Sequence, residues 1–394
     1  MLLLLGRLRG ADTNAARLQT ILQKLHFKLE SATQFKLLTG LEVNKFLELS
    51  LALLTRFIGQ DHRRISAEWF SSISNEYSQQ EIYCFLSALS KSLEEIQKIL
   101  KGRDDKRRHA SEYYEQTPFI EFPLIRFESE FICVDPNILY RCIETFVYDR
   151  LRAWDSEKFM GKFGQIFESY IERAIQYTGL PYINEAEVLK LIGGAGNLID
   201  FVVTDGDANI FIDAKAVEMA YLGKVSHLAD VVRGKTENSI LKAIEQAHDV
   251  MCRMQGMKIN KGCVQSRNKN YLIVVTYKEL YVGNGRTYYE AIAKNKIDEI
   301  YARYAGKQTI ELENMYFFAV EELEVFAAAI HNKNIGFIEG IERAKADDSD
   351  LKSMKFDFSQ HIADWSFKNE LPEYLIEIFS EVYGKYEKIL SQDR

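Results

Sequence analysis

Proline is scarce in this chain, and cysteine is neither frequent nor paired. There are five of each in 394 residues. Together with 12% aromatic and 47% hydrophobic residues, the low proline content excludes a largely disordered chain and allows sizeable cores. The cysteines, Cys84, Cys133, Cys142, Cys252 and Cys263, are odd in number and form no CxxC pair. That argues against a structural zinc site or a disulfide framework and predicts a reducing, cytoplasmic setting. No run of about 18 apolar residues occurs, so no membrane span is expected. The opening MLLLLGRLRG has four leucines before Gly6, fewer than the roughly 7–15 apolar residues of a signal core. Gly193, Gly194 and Gly196 in GGAGN are not followed by Lys-Ser/Thr, which excludes a phosphate-binding P-loop and leaves a tight strand connection. No internal repeat or low-complexity tract is present.

The length predicts two or three domains. Net charge is −7, and all of it lies in residues 321–394, which hold 16 acidic and 9 basic residues. The remaining chain is neutral, so a nucleic-acid partner is compatible with the acidic total. Residues 13–100 read as helical. NKFLELSLALLTRFIG has a period near 3.6 and stops at Gly59; SQQEIYCFLSALSKSLEEIQKIL reads as one amphipathic helix starting at Ser78. KGRDDKRRHASE is a charged linker or helix end, FIEFPLIRFESEFICVDP alternates like a short hairpin, and 137–152 returns to helix. From 155 a helix with Phe159, Phe163, Phe167, Ile171 and Ile175 on one stripe runs to Gly179. Strands are expected at about 182–190, 197–204 and 208–217, the last two joined by a two-residue turn at Asp205-Gly206. A helix at 239–255, the buried strand NYLIVVTY, a helix at 287–304 and the strand NMYFFAV follow, giving α-β-β-β-α-β-α-β before C-terminal helices. The expected division is a mainly helical 1–152, a mixed 153–330 and a helical 331–394.

Within NLIDFVVTDGDANIFIDAKAVE, three charged residues occupy strands otherwise made for a core: Asp200, Asp213 and Lys215. Side chains alternate faces along a strand, so Asp213 and Lys215 share one face, and a hairpin lets Asp200 converge on it. Two neighbouring carboxylates resist ionisation in a dry setting, and a hard divalent cation relieves that cost. Mg²⁺ needs only one or two carboxylates besides water and phosphate oxygens. A lysine beside it can orient a water or offset developing charge. These are the parts needed to hydrolyse a phosphodiester.

Ile199-Asp200, twelve intervening residues, then Asp213-Ala214-Lys215, set in this element order, resembles the PD-(D/E)XK nuclease superfamily over about residues 155–325. Ile199 stands where the family name has proline. The resemblance implies an α/β (α+β) fold with a restriction-endonuclease-like core (αβββαβ, mixed sheet), flanked by an N-terminal helical domain and C-terminal helices. It implies Mg²⁺ or Mn²⁺ held by Asp200, Asp213, Glu168 and the main-chain carbonyl of Ala214, with Glu172, one turn after Glu168, as the alternative third carboxylate. Lys215 would position the attacking water, and Gln246 would steady water or phosphate. The implied activity is a metal-dependent nuclease on DNA or RNA, including transfer RNA. By analogy it is a restriction or anti-phage defence effector whose helical regions sense a protein or other trigger. The alternative is a non-catalytic interaction module on a decayed nuclease scaffold.

Residues 250–278 contain no acidic residue. The segment follows the Gln246 helix, so Lys258, Lys261, Arg267 and Lys269 are expected to hold nucleic-acid phosphates beside the metal site. Arg103 and His109 form an R-x5-H spacing similar to that of helical HEPN ribonucleases. His227 and His248 have no partner at ligand spacing.

Overall fold

The computed structural model describes residues 17, 20, 21, 30–57, 62–102, 117–193, 196–219, 228–255, 266–365 and 370–392. The protein is mixed α/β and divides into two compact units, residues 1–162 with 373–394, and residues 163–372. The unit boundaries differ from the expected divisions: residues 331–372 group with the second unit and 373–394 with the first.

The first unit contains helices α1 (Glu30–Thr39), α2 (Val43–Phe57), α3 (Gln79–Ala88), α4 (Leu93–Gly102) and α5 (Pro136–Trp154). Its strands β1 (Arg64–Ser66), β2 (Ser90–Lys91), β3 (Leu124–Phe127) and β4 (Glu130–Cys133) form a sheet in the order β1-β4-β3-β2. The hairpin expected near 119–135 is the β3–β4 pair, turning at Glu128 with φ +54°. The single helix expected from Ser78 is two. Ser78 caps α3 through a capping box with Glu81, and the chain then leaves the helix to pair β2 with β3. Ser92 repeats the box with Glu95, whose amide donates to Ser92 Oγ over 3.2 Å. Stacked Phe46 and Phe146, 4.6 Å between centroids, join α2 to α5 in the core. Gly59 and the Arg103–His109 pair lie outside the described residues.

Helix α6 (Ser156–Thr178) runs from the first unit into the second and closes on Gly179 at φ +74°, as its phenylalanine stripe predicts. The second unit continues with β5 (Tyr182–Asn184), α7 (Glu185–Ile192), β6 (Phe201–Asp205) and β7 (Ala208–Lys215). Then come α8 (Ala229–Thr236), a π-helical segment Glu237–Leu241 and α9 (Lys242–Gln255). After them lie β8 (Lys269–Thr276), α10 (Gly285–Tyr288), a second π-helical segment Tyr289–Ala293, and α11 (Lys294–Arg303). β9 (Met315–Ala319), α12 (Val320–His331), α13 (Phe337–Asp348) and α14 (Phe358–Asp364) complete the unit, and α15 (Glu373–Gln392) returns to the first. The strand expected at 182–190 is three residues long and gives way to α7, again through a capping box, between Asn184 and Glu187.

The five strands order as β5-β6-β7-β8-β9, antiparallel from β5 to β7 and parallel from β7 to β9. Both faces are covered, so β7 and β8 are buried along nearly their whole length and lack alternation. One face packs Val202, Phe211, Leu272, Val274 and Phe317 against Ile244, Ala247 and Met251 of α9. Asp200, Asp213 and Lys215 are in phase with Val202 and Phe211 and therefore stand on this face, next to the core that Val202 and Phe211 help to build. No helix among the described residues is long and apolar enough to cross a membrane.

Candidate active site

The β6–β7 register sets the site. Asp205 pairs with Ala208, so the two-residue turn is Gly206-Asp207, with Gly206 at φ +56°, and not the expected Asp205-Gly206. Moving a two-residue turn by one position changes the register by two residues, which preserves faces. Phe201 opposes Ile212, so the next position out places Asp200 directly opposite Asp213. β6 has ended there, and Asp200 Oδ2 accepts a 2.7 Å hydrogen bond from the amide of Ala214. N–H and C=O of one strand residue point to the same edge, so the Ala214 carbonyl also faces the gap beside Asp200.

Asp213 is 0% exposed. Lys215 Nζ lies 2.5 Å from its Oδ2, yet neither Asp213 oxygen accepts a well-directed hydrogen bond among the described residues. Burial raises the Asp213 carboxyl above its ordinary value, against the pull of Lys215. Burial and the neighbouring Asp213 push Asp200 up to about 8, despite the Ala214 amide. Lys215 Nζ also donates to Gln246 Oε1 at 3.2 Å, and Gln246 Nε2 donates to the Leu198 carbonyl at 2.6 Å. Gln246 thus ties α9 both to the lysine and to the strand approach that carries Asp200.

Of the two candidate glutamates on α6, Glu168 and Glu172, the second is committed elsewhere: it accepts from Tyr182 Oη at 3.0 Å and Asn184 Nδ2 at 3.4 Å. The Glu168 carboxyl is raised by burial and by the charges of Glu185, Glu172 and Asp213, and lowered by Lys215, which places it in the field of the site. Lys242 also acts on Asp213, lowering its carboxyl. Sequence reading missed it. Its position four residues before Gln246, on the same face of α9, was the available signal.

Among the described residues no three His, Cys, Asp or Glu side chains gather closely enough to hold a metal. The Asp200–Asp213 pair, the Ala214 carbonyl and a buried Asp213 oxygen without a hydrogen bond nonetheless suit one hard cation, which takes remaining oxygens from water or phosphate. The Lys215 ammonium faces Asp213 in the same group.

Arg267 and Lys269 of the basic segment are not beside these groups. Lys269 pairs with Ala208 in the ladder, at the other end of β7 from Lys215, and its Nζ lies 3.0 Å from Asp207. Arg267 donates to the Gly206 carbonyl at 2.8 Å. Both brace the hairpin turn, which corrects the expectation of phosphate contacts next to the metal. Lys258, Lys261 and His227 lie outside the described residues. Arg253 donates to the carbonyls of Gly193 and Asn197, fastening the glycine-rich loop. His248 is buried, with Nδ1 2.7 Å from the Ile244 carbonyl and Nε2 accepting from the Ile310 amide at 3.1 Å, a core histidine. Cys84, Cys133, Cys142 and Cys252 are free thiols. Comparison with protein-family models, with curated proteins and with solved structures finds no match.

Proposed function

We propose that this protein is a metal-dependent nuclease, with its reaction centre at the carboxylate end of β7 on a restriction-endonuclease-like core. The carrying observation is the opposition of Asp200 and Asp213, part-buried and buried, both with raised carboxyl pKa values, beside Lys215 and Gln246. The order α6-β5-β6-β7-α9-β8, with α7 inserted after β5, supports the same reading. A structural ion pair explains Lys215 and Asp213 but gives no reason for a second carboxylate directly opposite.

Asp200, Asp213 and the Ala214 carbonyl would hold Mg²⁺ or Mn²⁺, with Glu168 reaching it directly or through water. When bound, the metal supplies charge for a phosphoryl oxygen and lowers the pKa of a water. Lys215, beside Asp213 and Gln246, would orient the attacking water and offset negative charge at the phosphate. Gln246 holds the lysine's direction, and Lys242 offers a second cation for an adjacent phosphate. The substrate class is nucleic acid, DNA or RNA. An effector role in restriction or anti-phage defence, with the first unit sensing a trigger, rests only on a distinct helical unit attached to this core.

A second reading, a non-catalytic interaction module, has one observation in its favour: the Lys215–Asp213 contact neutralises the site without a metal. Incubating the full chain with labelled DNA and total RNA, with Mg²⁺, Mn²⁺ or EDTA, separates the two. The nuclease reading expects metal-dependent cleavage that Asp213→Ala abolishes. Binding without cleavage under every metal condition would favour the interaction module.

A further inference from the structure

The first unit contains a cavity of about 530 Å³, within the size range of small-molecule sites, roughly 300–1,000 Å³. It is walled by α1, α3, β2, the segment before β3 and the last turns of α5. Among the described residues two cations line it, Lys91 and Arg150, and no acidic side chain does. Arg150 packs its guanidinium 4.9 Å from the ring centroids of both Phe122 and Phe146, and Lys91 Nζ is 5.0 Å from Phe122. These rings hold the two cations toward one side of the cavity. Their present partners are Glu121, 3.2 Å from Arg150, and Glu95, 3.2 Å from Lys91. Both glutamates are more than a third exposed, so these pairs are weak and exchangeable for a better anion.

The other walls present flat surfaces and polar edges. Tyr83 is 50% exposed and Trp154 36% exposed, unusual for large aromatics in a packed unit. Gln80 and Ser87 add polar atoms, and the buried Ser87 hydroxyl has no hydrogen-bond partner among the described residues. Exposed aromatic faces, polar edges and a planar guanidinium suited to phosphate oxygens select one ligand chemistry. We infer that this cavity binds a nucleoside phosphate, its base stacked on Tyr83 and Trp154 and its phosphate held by Arg150 and Lys91. An apolar anion such as a fatty acid would leave the Ser87 and Gln80 edges unmatched. The inference does not depend on nuclease activity.

AMP, GMP and ATP are titrated into the full chain, with laurate and inorganic phosphate as comparators. Tryptophan fluorescence and the alkylation rate of Cys84, which lines the cavity, are followed. Cys84 is resolved by peptide mass from Cys252, the other partly exposed thiol among the described residues, and from Cys263. The expected result is saturable quenching or enhancement by at least one nucleotide, with matching protection of Cys84. Affinity should fall at least tenfold in Arg150→Gln. Because Arg150 also packs on two rings, Ala153→Phe is the second variant: Ala153 is an exposed helical residue at the cavity wall, and the added ring should block entry without lowering the melting temperature. No saturable nucleotide binding at millimolar concentration, nucleotide binding unchanged in both variants, or binding of laurate alone would each overturn the assignment.

Discussion

The two ends of the β6–β7 hairpin carry similar numbers of charges and use them differently. At the turn end, Asp207 meets Lys269, Arg267 donates to the Gly206 carbonyl, and Asp205 Oδ2 accepts from the Ile338 amide at 3.0 Å. Each charge there has a structural partner, and Asp207 and Lys269 are largely in water, where such a pair contributes little. At the other end two carboxylates oppose each other, one of them fully buried, and among the described residues Lys215 makes an ion pair with Asp213 alone. Polar groups that fold a protein are matched to partners. The Asp200–Asp213 end is left mismatched at a cost to stability, and that mismatch is what supports the proposal of a reaction centre there.

The largest expected effect breaks the Asp200–Asp213 end. Asp213→Ala and Asp200→Asn should each lower metal-dependent cleavage by at least about 10³-fold, since each removes a carboxylate from the metal. Full activity in both would end the nuclease account. Lys215→Ala should lose about 10²–10⁴-fold, the usual range for a group that moves or orients a proton, with metal affinity little changed in calorimetry. Lys215→Arg should not restore the rate, because a planar fork does not replace a compact ammonium between Asp213 and Gln246.

Stability gives a smaller and opposite signature. The carboxyl of Asp200 stands at about 8 instead of an ordinary 3.8, so the folded state binds more protons than the unfolded state between those values. Stability of the metal-free protein is therefore fully present at low pH and is lost as pH rises toward 8. Asp213→Asn should flatten this dependence and raise the melting temperature at pH 8 by roughly 2–4 °C, corresponding to about 1 kcal/mol. A melting temperature that rises with pH in the wild type but not in the variant would show that the pair is not strained. The smallest effect belongs to the turn end. Neutralising Arg267 and Lys269 should leave the salt dependence of nucleic-acid binding unchanged. A slope lowered by about 0.7–0.9 per charge would mean that they contact phosphates after all.

Much of the site could be read from the chain because its determinants are local. Helix α6 showed a clear stripe and a glycine stop, and the Asp200–Asp213 convergence survived a misplaced turn because a two-residue register change keeps faces. Two helix boundaries were missed for one reason. Ser92 with Glu95 and Asn184 with Glu187 are capping boxes inside runs whose apolar pattern reads through them, and the cap decides where the helix begins. Arg267 and Lys269 were misplaced because closeness in sequence to Gln246 was read as closeness in space. Gln246 lies in the first half of α9, which spans about 21 Å at 1.5 Å per residue, and the chain leaving that helix enters β8 at the turn end of the sheet. Which of Glu168 and Glu172 faces the site depends on Tyr182 and Asn184, partners that only the folded sheet supplies.

Calorimetric titration of Mn²⁺ into the metal-free wild type and into Asp213→Asn, at pH 7.5 with melting curves recorded alongside, tests the central claim most directly. The account predicts saturable binding to the wild type with release of protons from the carboxylate pair, a rise in melting temperature with metal concentration, and loss of both in the variant. Equal binding to the two proteins, or none to the wild type at millimolar Mn²⁺ with Lys215 remaining on Asp213, would contradict it.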